Sequence, residues 1–371
     1  MTNNPIIGYD AKRIVKNGTG LGSYGRTLVN DLAAYPLQMR LYAPDKGRDD
    51  LREQIVKQKN VKFCYPTTIT QHSKLRSAYW RSYGIMKDLQ RDGVQLFHGL
   101  SGELPIGIGK SGIKSVVTIH DLIFLRLPEF YNKIDTKIYA WKFRQTLQEA
   151  DHIIAISKCT KQDIIEFGHV DERKISLIYQ SCAPRFSITP QPSEERYILN
   201  VGSIETRKNI MLAVKALHHL PEDLKLVIVG KHTNYTDAVM HYTKRNNLSE
   251  RVIFRHDVTD EQLPELYAKA EAFVYPSRYE GFGIPIIEAI SSGLPVVACS
   301  GSCLEEAGGP DSLYVDPYDE HAMANAIKQV LKGAEGREER ISRSQAYIRR
   351  FEGNDVAGQV YDLYQQLLEK H

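Results

Sequence analysis

Cysteine is sparse in this chain and never paired in sequence. Five of 371 residues are cysteine: Cys64, Cys159, Cys182, Cys299 and Cys303. No Cys-x-x-Cys word occurs, and no histidine stands at zinc-finger spacing from Cys299 and Cys303. That usage argues against a disulfide framework or a structural zinc, and for reduced thiols. No apolar run approaches the roughly 20 residues of a membrane span. Met1-Thr-Asn-Asn-Pro5 leads straight into a strand pattern without a signal-peptide core, so a cytoplasmic location is expected. Short-period repeats and low-complexity tracts are missing. No Asp-x-Asp word stands near a strand end (Asp49 and Asp50 are adjacent), so neither a metal nor another cofactor is expected. No nucleic-acid module is recognisable, so no nucleic-acid partner is expected.

What is present is ordinary soluble composition, 42% hydrophobic and 25% charged, at a length that suggests two domains. The net charge of +3 hides an asymmetry. Residues 1–185 carry 28 Lys+Arg against 18 Asp+Glu, and the remainder 20 against 27. A basic N-terminal half suits an anionic partner, either a membrane surface or a phosphorylated acceptor. A chance imbalance on a solvated surface would look the same.

Apolar runs alternate with helix-length amphipathic segments throughout, which implies βα units and parallel sheets. Strands are expected at 6–9, 39–42, 61–64, 96–98, 116–119 and 153–156. A second series is expected at 197–201, 225–229, 252–254, 272–275, 296–298 and 313–315. Between them Ser187–Glu195 is polar, contains two prolines and reads as a linker. The fold class is therefore α/β, two doubly wound Rossmann-like domains facing across a cleft, with ligands at the carboxyl ends of the strands. The expected domains are 1–187, 188–350 and a C-terminal helix, 351–371. Lys74–Arg91, with Leu75, Tyr79, Trp80, Tyr83 and Met86, is amphipathic. It could lie on the inner face of a membrane or simply pack.

The run from Tyr275 to Ala289 (YPSRYEGFGIPIIEA) carries the most chemistry. It places Glu280 and Glu288 around a Gly-x-Gly loop between a buried strand and a helix with Pro285 in its first turn. Backbone N–H groups at such a helix start favour an anion, and two carboxylates can accept from hydroxyls. A phosphate that is also a polyol fits, as in a sugar nucleotide. Two solvated glutamates in a surface turn fit the same spacing. In NVGSIETRKNI (200–210), Arg207 and Lys208 stand where a helix start would prefer acidic residues, which points to an external anion. Gly20, Gly22 and Gly25 spell G-x-G-x-x-G. About ten residues separate them from their strand, against the dinucleotide fingerprint. His120 and Asp121 end a strand, where a neutral histidine can donate or act as a base.

These words, in this order from about residue 6 to 320, resemble the family 4 retaining glycosyltransferases of the GT-B fold, whose E-x7-E signature the 280–288 pair matches. They look most like the mannosyltransferases of bacterial surface polysaccharide synthesis. The resemblance implies transfer of a hexose from a nucleotide sugar, leaning to GDP-mannose, to a saccharide or lipid-linked saccharide. UDP-sugar transfer and a non-catalytic sugar-nucleotide-binding partner are the alternatives. The resemblance also implies that domain 1–187 binds the acceptor and 188–350 the donor, with the helix 351–371 packing back on the first domain. Glu288 would hold the ribose. Glu280 with Gly281, Phe282, Gly283 and Ile284 would hold the hexose. Arg207 and Lys208 would stabilise the departing diphosphate, and His120 would orient the hexose. Gly20, Gly22 and Gly202 match glycine loops near the phosphates; Gly230 and Val258 match loops near the base. His98, Glu103 and Asp121 match acceptor-side positions, with His98 and Glu103 expected to be exposed. Ser203 stands where many members have arginine. Gln180 and Ser181 replace the family's Asn-Gly.

Overall fold

The computed structural model describes residues 4–66, 74–351 and 355–369. The expectations for residues 1–3, 352–354 and 370–371 fall outside them. The chain divides into two compact units, Met1–Gln180 with Asp355–His371, and Ser181–Asn354.

The first unit is built on seven parallel strands: β1 (Ile6–Asp10), β2 (Gln38–Tyr42), β3 (Val61–Cys64), β4 (Leu96–Gly99), β5 (Lys114–Ile119), β6 (His152–Ala155) and β7 (Ile175–Leu177). Their spatial order is β3-β2-β1-β4-β5-β6-β7. The order reverses between β1 and β4, so the carboxyl ends of those strands flank the switch point where such sheets take ligands. Central parallel strands are covered on both faces, and accordingly every residue of β4 and all but the first of β5 are buried. β7 went unread because it is a three-residue edge strand with little apolar signal.

The helix Val356–Glu369 belongs to this first unit. Ala357, Val360, Leu363 and Tyr364 join a core cluster with Ile7, Tyr9, Leu28 and Leu32. Tyr364 is fully buried. Its hydroxyl lies 2.6 Å from Nδ1 of His98, whose Nε2 is 2.8 Å from Oγ1 of Thr118.

The second unit has six parallel strands: β8 (Tyr197–Val201), β9 (Lys225–Val229), β10 (Val252–Arg255), β11 (Ala272–Tyr275), β12 (Val296–Cys299) and β13 (Leu313–Val315). They run in the order β10-β9-β8-β11-β12-β13, with the reversal between β8 and β11. The motif loops 202–208 and 276–283 follow these two strands directly. The polar segment 187–195 packs onto this unit: Gln191 N–H donates to Ala268 at 2.8 Å, and Ser187 Oγ lies 3.2 Å from Ser291 Oγ.

Tyr364→Phe keeps the buried ring but leaves one nitrogen of His98 without a partner. A loss of about 1–3 kcal/mol in urea unfolding is expected, the cost of orphaning a buried polar group. An unchanged midpoint would show that the hydroxyl contributes nothing.

Candidate active site

The loop after β8 makes one 3-10 turn, Thr206–Lys208, before Asn209 enters the left-handed region (φ 55) and the helix Ile210–Ala216 begins. The two cations therefore precede the helix rather than open it. Asn209 is held by its own amide, which donates to Pro317 O at 2.8 Å. This turn aims both side chains at the loop after β11. Lys208 Nζ lies 2.5 Å from Glu280 Oε1, and Arg207 contacts the same oxygen at 3.1 Å. All three side chains are 12–13% exposed.

Further donors and acceptors fix the cluster. Lys208 donates to the Tyr275 hydroxyl at 2.7 Å, Arg207 to Tyr279 O at 2.5 Å, and Ser277 Oγ to Glu280 Oε1 at 2.6 Å. The buried thiol of Cys303 donates to the carbonyls of Glu280 and Phe282. Burial alone would raise the Glu280 carboxyl, but Lys208 and Arg207 outweigh it and hold it below its ordinary value. Burial likewise would lower the Lys208 ammonium, and Glu280 reverses that and lifts it well above the usual lysine range. The group is thus ionised throughout, two cations sharing one carboxylate.

Gly283 sits at φ 130, a conformation that L side chains rarely adopt, and a Cβ there would press on Ala307 at 3.1 Å. It turns the chain into the helix Ile284–Ser291. Gly281 and Phe282 complete that loop, with Phe282 edge-on to Phe351 at 5.3 Å between centroids. Glu288 lies on the helix, its Oε2 accepting from the Tyr267 hydroxyl at 3.0 Å. Gly202 and Gly230 end β8 and β9. The Gly202 carbonyl stands 2.0 Å from where a Gly230 Cβ would be, so only glycine permits the approach. Val258 lies in the loop after β10, partly buried.

In the first unit the glycine word lies further into a helix than the sequence suggests. The helix Gly20–Leu32 starts at the first of the three glycines, and buried Arg26 donates to the carbonyls of Ile14 and Asn17 ahead of it. His120 follows β5. Its Nε2 donates to Leu100 O at 2.9 Å, and Nδ1 accepts from the Gln180 amide at 3.2 Å. The Tyr24 ring meets it edge-on at 4.8 Å. Burial pushes its imidazole down to about 4, so it is neutral at physiological pH. In this arrangement its only N–H is already given to backbone, and a role as base requires Gln180 to move.

The acceptor-side candidates are tied into the first unit's own structure. His98 is fully buried rather than exposed, because helix 356–369 covers it. Burial holds its imidazole down to about 3. Glu103 is half-buried and accepts from Lys142 at 3.0 Å and Arg81 at 3.1 Å. Asp121 accepts from Ile123 N–H at 3.2 Å, turning the chain into the next helix. Tyr267 and Cys303 touch candidate residues but lie outside every sequence word, while Tyr275, Ser277 and Gln180 lie within such words without having been given a role. Among the described residues, His219, Glu320 and His321 bring possible metal-ligating atoms within 4.8 Å of one another. Glu320 also faces Lys215 at 3.7 Å, and this group shares no residue with the Glu280 cluster.

Burial pushes the Glu288 carboxyl up to about 7, against the opposing Tyr267 hydrogen bond and Arg185 charge. The folded chain therefore keeps a proton that the unfolded chain releases near pH ~4.3. Stability from that proton is full below about 4.3 and is lost as pH rises toward 7. Glu288→Gln abolishes the titration, so its stability relative to the parent should climb across that window. Urea midpoints at several pH values measure it; a pH-independent difference would refute the assignment.

Residues 18–181 match glycosyltransferase family 4, and residues 185–347 match glycosyl transferases group 1. The chain is 29% identical over 288 residues to O-antigen chain mannosyltransferase B of Escherichia coli, covering 73% of this chain and 74% of that one. It is 31% identical over 240 residues to O-antigen chain mannosyltransferase RfbU of Salmonella typhimurium, covering 65% and 66%. The solved sucrose-phosphate synthase of Thermosynechococcus elongatus has a TM-score of 0.80 at 20% identity, covering 99% of this chain and all of that one. That likeness speaks for the fold alone. With two parallel-sheet units of this topology and family matches across both, the chain belongs to the family 4 glycosyltransferases, enzymes of the GT-B fold.

Proposed function

We propose that this glycosyltransferase moves mannose from GDP-mannose to a saccharide or lipid-linked saccharide acceptor, with retention at the anomeric carbon and without a metal. The observation that carries the reading is the buried trio of Arg207, Lys208 and Glu280, in which two buried cations share one buried carboxylate, with the exposed Glu205 3.7 Å from Arg207. A nucleoside diphosphate is the ligand such a site suits. Its β-phosphate gains charge as the bond to the sugar breaks, and preorganised cations are worth most where charge develops. Two fixed cations can do the work a divalent ion does elsewhere. The names of the relatives from Escherichia coli and Salmonella supply the lean to mannose.

In the proposed reaction the bond from the anomeric carbon to the diphosphate oxygen breaks. A bond to the acceptor oxygen forms on the same face, and the acceptor proton passes to the departing phosphate. Glu280 would leave its cations as the diphosphate arrives and accept from hexose hydroxyls. Glu288 would accept from the ribose. Loop backbone around Gly230 and Val258 would meet the base.

A thermal-shift panel of GDP-mannose, GDP, UDP-glucose, UDP and ADP-glucose tests the donor. The guanine ligands should raise the midpoint by binding the folded state. A shift confined to uracil ligands would move the donor to a UDP-sugar, and no shift at all would favour a non-catalytic protein.

Glu280→Gln separates the two roles of that carboxylate. GDP should bind more tightly, because the cations lose their internal counter-ion. Turnover should fall by about 100-fold or more, the usual scale for losing a preorganised polar contact to the transition state. Calorimetry and initial rates read the two effects. Unchanged turnover would remove Glu280 from the reaction.

A further inference from the structure

Two helical elements of the second unit meet with histidines at the rim of their contact. The helix Ile210–Ala216 runs into a 3-10 turn, Leu217–His219, which ends on His219. The helix Glu320–Lys328 opens on Glu320 and His321. Ala213, Ala216 and Leu217 of the first element share one buried core cluster with Met323, Ala324 and Ile327 of the second. Apolar packing therefore sets the pairing, and the polar group at its rim is carried on fixed backbone. Arg251 donates to the carbonyls of Leu217 and Pro221 at 3.0 and 2.7 Å, which pins the turn beneath His219. Asp319 caps the second helix, its carboxylate accepting from Ala322 N–H at 2.8 Å.

The side chains at that rim have the make-up of a ligand set. His219 Nε2 lies 4.0 Å from Glu320 Oε1, and the rings of His219 and His321 are 4.2 Å apart between centroids. One nitrogen from each ring and one carboxylate oxygen lie within 4.8 Å of one another. Ligand atoms about 2.0 Å from a tetrahedral zinc stand roughly 3.3 Å apart, so small side-chain rotations close the set. His98 and His120 have both ring nitrogens engaged, whereas among the described residues neither His219 nor His321 makes a hydrogen bond. Lys215 stands 3.7 Å from Glu320, with both side chains more than a third exposed. Such a pair is worth little, and the lysine is free to swing into solvent when a dication arrives.

We infer that His219, Glu320 and His321 bind a zinc-class divalent ion, with water in the fourth position. Two imidazoles and one carboxylate suit zinc. Magnesium takes oxygen ligands in an octahedron, and this group offers it too few. The ion would act as a clamp. The Asn209 amide already ties the start of the helix 210–216 to Pro317 O, beside the turn that carries Arg207 and Lys208. A metal on His219 fastens the same two segments at a second place. The group shares no residue with the Glu280 cluster, so the inference stands whichever nucleotide sugar is used and leaves the transfer itself metal-independent.

Calorimetry on the metal-stripped full chain tests it, with zinc chloride and magnesium chloride as the titrants. Zinc should bind at micromolar concentration or below and raise the melting midpoint, because the ion recognises the folded pair of helices. Magnesium should do neither. His219→Ala, His321→Ala and Glu320→Gln should each weaken zinc binding by at least about tenfold, since even outer-shell partners of metal ligands are worth that much. All three positions are at the surface, so the metal-free variants should fold as the wild type does. Cobalt in place of zinc should show tetrahedral d–d bands without a thiolate charge-transfer band, which separates this site from the cysteines. The proposal is overturned if the wild type binds no zinc at micromolar concentration, if the histidine variants bind it equally well, or if the cobalt spectrum reports thiolate ligation.

Discussion

Two buried cations sharing one carboxylate are the constraint on which the second unit's chemistry depends. Charges at 12–13% exposure are costly to bury, and removing one partner of such a group leaves an uncompensated charge. The surrounding loop is accordingly over-determined. Ser277 donates to the carboxylate, Tyr275 receives the ammonium, and Cys303 pins two carbonyls of the turn. Two buried cations held on one buried carboxylate are the feature on which the proposed diphosphate site rests.

The first unit uses the opposite economy. Its two strand-end histidines are kept neutral by burial and have both ring nitrogens engaged. Thr118 joins His98 to the Tyr24 hydroxyl at 3.2 Å, so one buried network links β4, β5, the glycine helix 20–32 and the returning C-terminal helix. Rigid placement is what such a network supplies, and the residues in it have little capacity left for proton transfer.

Much of the architecture was legible because parallel strands covered on both faces must be apolar along their length. All twelve strands read from sequence are present, each within two residues at either end. The cations and carboxylates of the Glu280 cluster were legible too, since their spacing around strand ends is a local property. What escaped is what long-range packing decides. The partners Tyr267 and Cys303 belong to no word. His98 looked exposed at a strand end until helix 356–369 closed over it. The helix start at Gly20 and the left-handed Asn209 depend on backbone capping that periodicity does not record.

A crystal structure of the chain with GDP bound tests the central claim most directly. The account predicts diphosphate oxygens within hydrogen-bond distance of Arg207 and Lys208, with Glu280 displaced from both. A diphosphate bound elsewhere, with the Arg207–Glu280–Lys208 contacts intact, would contradict it.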